Sequence, residues 1–511
     1  MKYAYGLVLF CSIILWSSCR NDFSTTETSG NLEFSRDTVF LDTIFTNIGS
    51  STYNLKVYNN SDEDINIPNV RLGDGETSNY RLNVDGIPGK VFQDIQVLAK
   101  DSIFIFVETT LDIESFPNPD ETFLYTDQIL FEGGGTSQKV ELVTLIQDAV
   151  FLFPELDDDG MVGTLNIGVD GNGDDVLIEG FILDDDELTF TNEKPYVIYG
   201  YAAVNAGKTL TVEAGARIHF HNNSGIIVAN TGSMKVNGAP STDPETLENE
   251  VIFEGDRLEP GFSEIPGQWG AIWLTAGSMD HEFKHTTIKN GTVGILMDSN
   301  DGAGNTLTLE NVQIYNNANV GLLARTGVVR GDNVVINNSG QPALALSLGG
   351  TYVFNHCTFA NYWNNSGFRT FPTVQMDNVL SGNFAPLDAQ FNNCIIYGNQ
   401  PRELGFIKSD MAAFDYNFTN CLIRFEDPNG DFANDPLYDF TNGSLYTNTV
   451  INSNPFFHNP ENNNFNIELG TSGAEGIGLD GVTPLLDLNQ TPRDNTPDVG
   501  AYEATEIEPE G

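Results

Sequence analysis

Phe354-Asn355-His356-Cys357-Thr358-Phe359, Phe391-Asn392-Asn393-Cys394-Ile395-Ile396 and Phe418-Thr419-Asn420-Cys421-Leu422-Ile423 are three copies of one phrase. The same phrase without cysteine lies upstream, as Phe283-Lys284-His285-Thr286-Thr287-Ile288, Leu309-Glu310-Asn311-Val312-Gln313-Ile314 and Gly331-Asp332-Asn333-Val334-Val335-Ile336. The six starts are separated by 26, 22, 23, 37 and 27 residues. Self-similarity at such a period marks a solenoid.

Within the phrase the fourth position is Thr, Val or Cys and the sixth Ile or Phe, and the residue between them varies. That period of two describes a strand with one buried face. The third position is always Asn or His, a short polar side chain that tolerates left-handed backbone and can bond a bending chain. A second column follows about ten residues later: Val293-Gly294-Ile295-Leu296, Val320-Gly321-Leu322-Leu323 and Pro342-Ala343-Leu344-Ala345-Leu346. Two columns in phase predict short strands on different faces of one coil. The expected fold class is all-β, a right-handed parallel β-helix running from about residue 196 to 470, with coils about 4.8 Å apart. On the order of ten coils would make a rod about 50 Å long. Like residues then stack, so Cys357, Cys394 and Cys421 should form a buried ladder of free thiols, since parallel Cβ vectors suit a disulfide torsion badly.

Three further stretches carry a resemblance. Lys208-Thr209-Leu210-Thr211-Val212-Glu213-Ala214-Gly215-Ala216-Arg217-Ile218 resembles the opening coil of bacterial right-handed β-helix proteins of the pectate-lyase-like superfold. Gly267-Gln268-Trp269-Gly270-Ala271-Ile272-Trp273-Leu274 is similar to a phrase of the Bacteroidetes-type members, and Asp498-Val499-Gly500-Ala501-Tyr502-Glu503 to their final motif. The resemblance implies a fold and is nearly silent on activity, because this superfold hosts lyases, hydrolases and adhesins alike.

The N-terminus reads as a targeting segment. Lys2 is followed by an apolar run from Tyr3 to Leu15 and then by Ser17-Ser18-Cys19. This resembles a bacterial lipoprotein signal of residues 1–18, with Cys19 lipidated as the first mature residue, although Trp16 stands where Leu is usual. Residues 19–31 would be a polar tether, and the implied address is the outer membrane, at the cell surface or its periplasmic face.

Residues 32–150 carry short alternating runs at Thr38–Leu41, Tyr53–Tyr58, Ile65–Ile67, Ser102–Val107 and Val140–Ile146, separated by Gly, Asn and Pro. The spacing predicts an antiparallel β-sandwich, and its first half resembles Ig-like domains found beside bacterial surface modules. Residues 151–195 form an acidic connector or N-terminal cap in which Lys194 is the only basic residue. Residues 471–511 would be a C-terminal cap and acidic tail.

A net charge of −48, with only 23 Lys and Arg in 511 residues, opposes nucleic acid and anionic lipid. A monomer is expected. Asp170-x-Asn172-x-Asp174 offers three alternating oxygen ligands on a glycine-bent loop for calcium, without the distal Glu of an EF-hand. In Arg217-Ile218-His219-Phe220-His221, inward Ile218 and Phe220 would align Arg217, His219 and His221 outward, where two histidines could share a metal or ligand. Lys284, Lys289, Arg325, Arg330, Arg369, Arg402 and Arg424 are the scattered cations from which a lyase would draw its base. The Gly-His-Gly and Arg-Ile-Lys phrases of pectin glycosidases do not occur. Trp273, on the same predicted strand face as Trp269, and Trp363, with Tyr362, Phe368 and Phe371 in the inserted loop of the 37-residue repeat, are aromatic platforms for sugar rings. The function expected is a non-catalytic, lipid-anchored envelope protein presenting a rod for glycan binding or adhesion. The alternative is a polysaccharide lyase or glycoside hydrolase on the same rod.

Overall fold

The computed structural model describes residues 25–28, 30–116, 122–157, 159–300, 304–365 and 367–506. The stretch expected to be a signal peptide, Cys19 as its expected lipidation site, most of the expected tether and the last residues of the expected acidic tail lie outside them. Among the described residues there is no α-helix; regular structure is strand apart from short 3-10 turns. The chain divides into two compact units, residues 1–148 and 149–511.

The first unit has two sheets sharing one core. Every run read from the sequence is a strand in it. One sheet is built on Ile65–Leu72, Val91–Val97, Thr122–Gly133, Thr136–Gln147 and Thr38–Phe45; the other on Tyr53–Tyr58, Ser102–Thr109 and Tyr80–Val84. It is not wholly antiparallel as expected: Thr38–Phe45 runs parallel to Thr136–Gln147. Alternation along a strand fixes which face is buried but not the direction of its neighbour.

The second unit is a β-helix-like solenoid with three parallel sheets. The six phrases stack in the register that the repeat spacing predicts: Phe283 pairs with Leu309, Leu309 with Gly331, Gly331 with Phe354, Phe354 with Phe391 and Phe391 with Phe418. Each phrase, read as one strand, is in fact a corner. Its third residue is left-handed, with φ of 42°, 55°, 51°, 51°, 52° and 51° at His285, Asn311, Asn333, His356, Asn393 and Asn420. Residues before the corner belong to the first sheet and residues after it to the second. The corner side chains bond up the stack, Asn333 Nδ2 donating to Asn311 Oδ1 at 2.8 Å and Asn393 Nδ2 lying 3.1 Å from His356 Nε2. The third sheet contains the second column, as Ile295–Asn300, Leu322–Thr326 and Leu344–Ser347.

Inside the coils like does lie on like. Phe354, Phe391, Phe418 and Tyr446 stack at centroid distances of 5.3, 4.8 and 5.6 Å. Cys357, Cys394 and Cys421 are wholly buried free thiols. Each Sγ–H donates to the carbonyl two residues back, at 3.3, 3.3 and 3.4 Å, so the three share one environment along one interior line.

The parallel ladder begins before residue 196 and ends before 470. Val150–Leu152 already pairs with Tyr196–Ile198, so the acidic connector contributes the opening of the stack. The last parallel strand pairing of the ladder joins Leu422–Ile423 to Val450–Ile451. Beyond it Phe457–Asn459 pairs antiparallel with Asn464–Ile467, and residues 457–504 fold back along the outside of the second sheet. Val499, Ala501 and Tyr502 of the final motif bury Val335, Ile395 and Leu422 there. The variable fifth position of the phrase, read as free, is met by this returning segment at Gln313, Val335, Thr358, Ile395 and Leu422, while Thr287 lies against Glu250 and Gln313.

Candidate functional site

The third sheet carries a groove on its outer face, at the end nearest the start of the solenoid. Its floor is the in-register row Ala203, Ile227 and Trp273. Ala202, Ile226 and Ile272, one residue earlier, point into the core, and strand alternation sends the row outward. One wall is a hairpin of Thr164–Val169 and Asp175–Ile182, of which Leu165, Asn166, Ile167 and Ile182 face the groove. Gly180–Ile182 joins the third sheet beside Tyr201–Ala203. Gly180 is needed at that crossing: a Cβ there would lie 2.5 Å from the Tyr201 carbonyl and 2.7 Å from Leu165 Cδ1. The opposite side is formed by Asn205, Asn230, Thr275 and Asp298, and the groove encloses about 410 Å³.

Trp273 is partly exposed and its ring is fixed. Its Nε1–H donates to Asp298 Oδ2 at 2.7 Å, and Arg325 Nη1 donates to Asp298 Oδ1 at 2.5 Å. A half-buried indole whose polar edge is satisfied leaves its π-face as the available surface. Asn166 and Asn205 turn their Oδ1 atoms onto the N–H groups of Gly168 (2.9 Å) and Ala206 (2.8 Å), which leaves their amide NH2 groups as donors at the rim. The arrangement combines an oriented aromatic plate, an apolar floor and a sparse set of donors, which is how pockets bind small polar ligands.

The other sequence candidates lie elsewhere. Trp269 does not share a face with Trp273; it is in the core, 1% exposed, stacked on Phe220 at 4.3 Å and donating to the Lys289 carbonyl. Gly270 breaks the alternation between the two: a Cβ there would lie 2.0 Å from Tyr201 Oη. Trp363 packs against Gly340 in the inserted loop, and Phe368 at that loop's tip is 99% exposed.

Ile218 and Phe220 point inward as expected, but their neighbours do not converge. Arg217 bonds the carbonyls of Thr246, Leu247 and Glu250 and so clamps the loop before Val251–Gly255. His219 is covered, 3.3 Å from the Gly255 carbonyl and 3.6 Å from Glu254, and burial lowers its pKa. His221 is half-exposed, stacks on Tyr199 and meets Asp256 at 2.7 Å, whose carboxylate raises its pKa. The two histidines thus face different partners rather than one shared ion. In the Asp170 loop, Asp170 Oδ1 accepts from the N–H groups of Asn172 (2.7 Å) and Asp174 (3.0 Å), and Oδ2 from the Asn172 amide. The carboxylate is used to close its own turn, and those amides hold its pKa below the ordinary value. Among the described residues no group of three or more His, Cys, Asp or Glu is placed to hold a metal ion.

The scattered cations are mostly paired. Lys289 meets Glu254 at 2.9 Å, and Lys284 lies between Glu282 and Glu310 at 3.7 and 3.9 Å. Arg424 meets Glu426 at 3.0 Å and Arg402 meets Asp431 at 3.8 Å, while Arg330 is exposed on the first sheet. Arg369 forms a sealed pair with Glu403, the two side chains 1% and 0% exposed.

Of the groove, sequence reading found Trp273 and, as one of the scattered cations, Arg325. Asp298 could have been found: it stands two residues after Leu296, the partner of Trp273 in the second column, and so shares its outward side. Asn166 and Asn205 had no such signal.

No family model matches the chain, and no curated protein matches it. Thirteen chains of solved structures match. One is a family 123 glycoside hydrolase from Clostridium perfringens, studied for its hydrolysis of glycolipid glycans, at 9% identity and a TM-score of 0.16. The overlap covers 23% of this chain and 26% of that one, so this chain spans about a quarter of that enzyme's length. The reading of the groove rests on its own geometry.

Proposed function

We propose that the protein is a lipid-anchored component of a bacterial cell envelope, held at the outer membrane through Cys19, which binds glycan in the groove around Trp273. In this reading the solenoid is a right-handed β-helix, the hand that parallel crossovers overwhelmingly take, and the N-terminal unit is an Ig-like spacer. The observation that carries the glycan reading is the fixed indole of Trp273 over an apolar floor, bonded to Asp298 at 2.7 Å. A sugar ring offers a C–H face to such a plate, and a rigid aromatic gives large contact area at small entropic cost.

A glycan array probed with the intact protein and with Trp273→Ala tests it. Binding that disappears in the variant supports the groove; equal binding by both proteins places any glycan site elsewhere. A reducing-end assay on each bound polysaccharide separates binding from the alternative: ends that accumulate with the intact protein and not with Asp298→Ala would identify a hydrolase or lyase. Incorporation of labelled palmitate, lost in Cys19→Ala, tests the anchor.

A further inference from the structure

Resting on the glycan reading, we infer that the groove selects an uncharged pyranose glycan and excludes both anionic and cationic ones. The charges at the groove cancel locally. Asp298 gives one oxygen to Trp273 Nε1 at 2.7 Å and the other to Arg325 Nη1 at 2.5 Å. An entering ammonium group therefore meets a carboxylate whose two oxygens are both engaged. An entering uronate or sulfate meets a guanidinium that already has its counter-ion, and displacing a partly buried partner costs more than a surface pair returns.

The rim adds a second constraint. Asn166 and Asn205 have their oxygens tied back to Gly168 and Ala206, so they present N–H and not carbonyl oxygen. Donors of this kind match ring, hydroxyl and acetamido oxygens of a neutral sugar and oppose an ammonium group. The field adds a third. The hairpin wall comes from residues 151–195, which contain Asp170, Asp174, Asp175, Glu179 and further acids against Lys194 alone. These acids lie on the hairpin and not in the groove lining, and their field repels anions and draws cations over about a Debye length, so it strengthens the exclusion of anions and leaves that of cations to the rim donors and the engaged Asp298. The three features leave stacking and neutral hydrogen bonding as the available recognition.

The test uses the intact protein and follows tryptophan fluorescence and heat on titration with four probes. They are neutral gluco- and manno-oligosaccharides, an oligogalacturonate and a chitosan oligomer, each at low and at high salt. A neutral oligosaccharide should bind with an affinity unchanged by salt, and both charged probes at least about tenfold more weakly. Asn166→Ala and Asn205→Ala, both exposed at the rim, should each weaken the neutral probe about three- to tenfold without altering the melting temperature. A charged probe that binds as tightly as the neutral ones, through a signal that Trp273→Ala abolishes, overturns the selectivity and leaves the glycan groove standing. Absence of any response to all four probes overturns both.

Discussion

The indole N–H of Trp273 and the carboxylate of Asp298 lie 2.7 Å apart across neighbouring coils, and Arg325 from the next coil holds that carboxylate from its other side. Three coils thus cooperate to set one ring plane. Asp298→Ala should leave the fold intact and weaken glycan binding about tenfold, because the ring regains rotational freedom. Trp273→Ala should remove binding below detection. Calorimetric titration of both variants checks the order; an Asp298→Ala protein with unchanged affinity would show that the bond does not position the ring.

Arg369 and Glu403 close the inserted loop of the 37-residue repeat from inside. Glu403 also accepts from the N–H groups of Thr373 and Gln400. Removing one partner strands the other without water, so Arg369→Met should cost about 3–5 kcal/mol. The double change Arg369→Met with Glu403→Leu should recover part of that loss. Thermal or denaturant unfolding measures both, and limited proteolysis should cut near Phe368 first in the single variant.

Glu503 pairs with Arg493 within the returning segment, and burial pushes its pKa up to about 7 from 4.5, more than the guanidinium lowers it. Burial raises Asp487 and Asp498 beside it as well. A carboxyl with a raised folded-state pKa favours folding when protonated. Its contribution is complete below about pH 4.5 and fades as pH rises through about 7. The C-terminal segment should therefore be released by protease faster at pH 8 than at pH 5.5, and Glu503→Gln should flatten that difference. A release rate that falls as pH rises in the native protein would contradict the assignment.

The thiols of Cys357, Cys394 and Cys421 are sealed within the coils, and burial pushes those of Cys357 and Cys421 up, away from the reactive thiolate. Alkylating reagent should leave all three unlabelled in native buffer and label all three once denaturant opens the stack. Peptide mapping by mass spectrometry reads each site separately. Labelling of Cys394 alone in native protein would mean that the rungs are not equivalent.

The repeat was legible because stacking imposes it on the chain directly. A phrase that begins with Phe354 pairs with the one that begins with Phe391 whatever loop intervenes, so counting between phrases gives register. The left-handed backbone at the third position was legible in part, because few side chains tolerate it and Asn or His stands there each time, but the phrase around it read as one strand where the chain turns a corner. What could not be read is whatever depends on distant chain. Val335 and Ile395 looked like residues facing water because nothing local reveals that Ala501 and Val499 return to cover them. Trp269 looked like the twin of Trp273 because alternation was counted through Gly270, where the backbone leaves the strand. Arg217 and Arg369 looked like free cations because their acceptors come from loops that sequence does not place. In the groove, Asn166 reaches the neighbourhood of Trp273 only through the hairpin, which no periodic signal announced.

The return of residues 457–504 over the second sheet has a consequence for biosynthesis. Chain emerges from the ribosome in order, and coils can stack as they appear, yet their greasy flank waits for residues made near the end of translation. Until Val499 and Tyr502 arrive, Val335, Ile395 and Leu422 form a sticky stripe on an otherwise finished rod. Premature termination between Asn452, where the coils are complete, and Asp498 would then yield a particle that is folded and still self-adhesive, a burden that falls on escort factors and not on the stability of the coils.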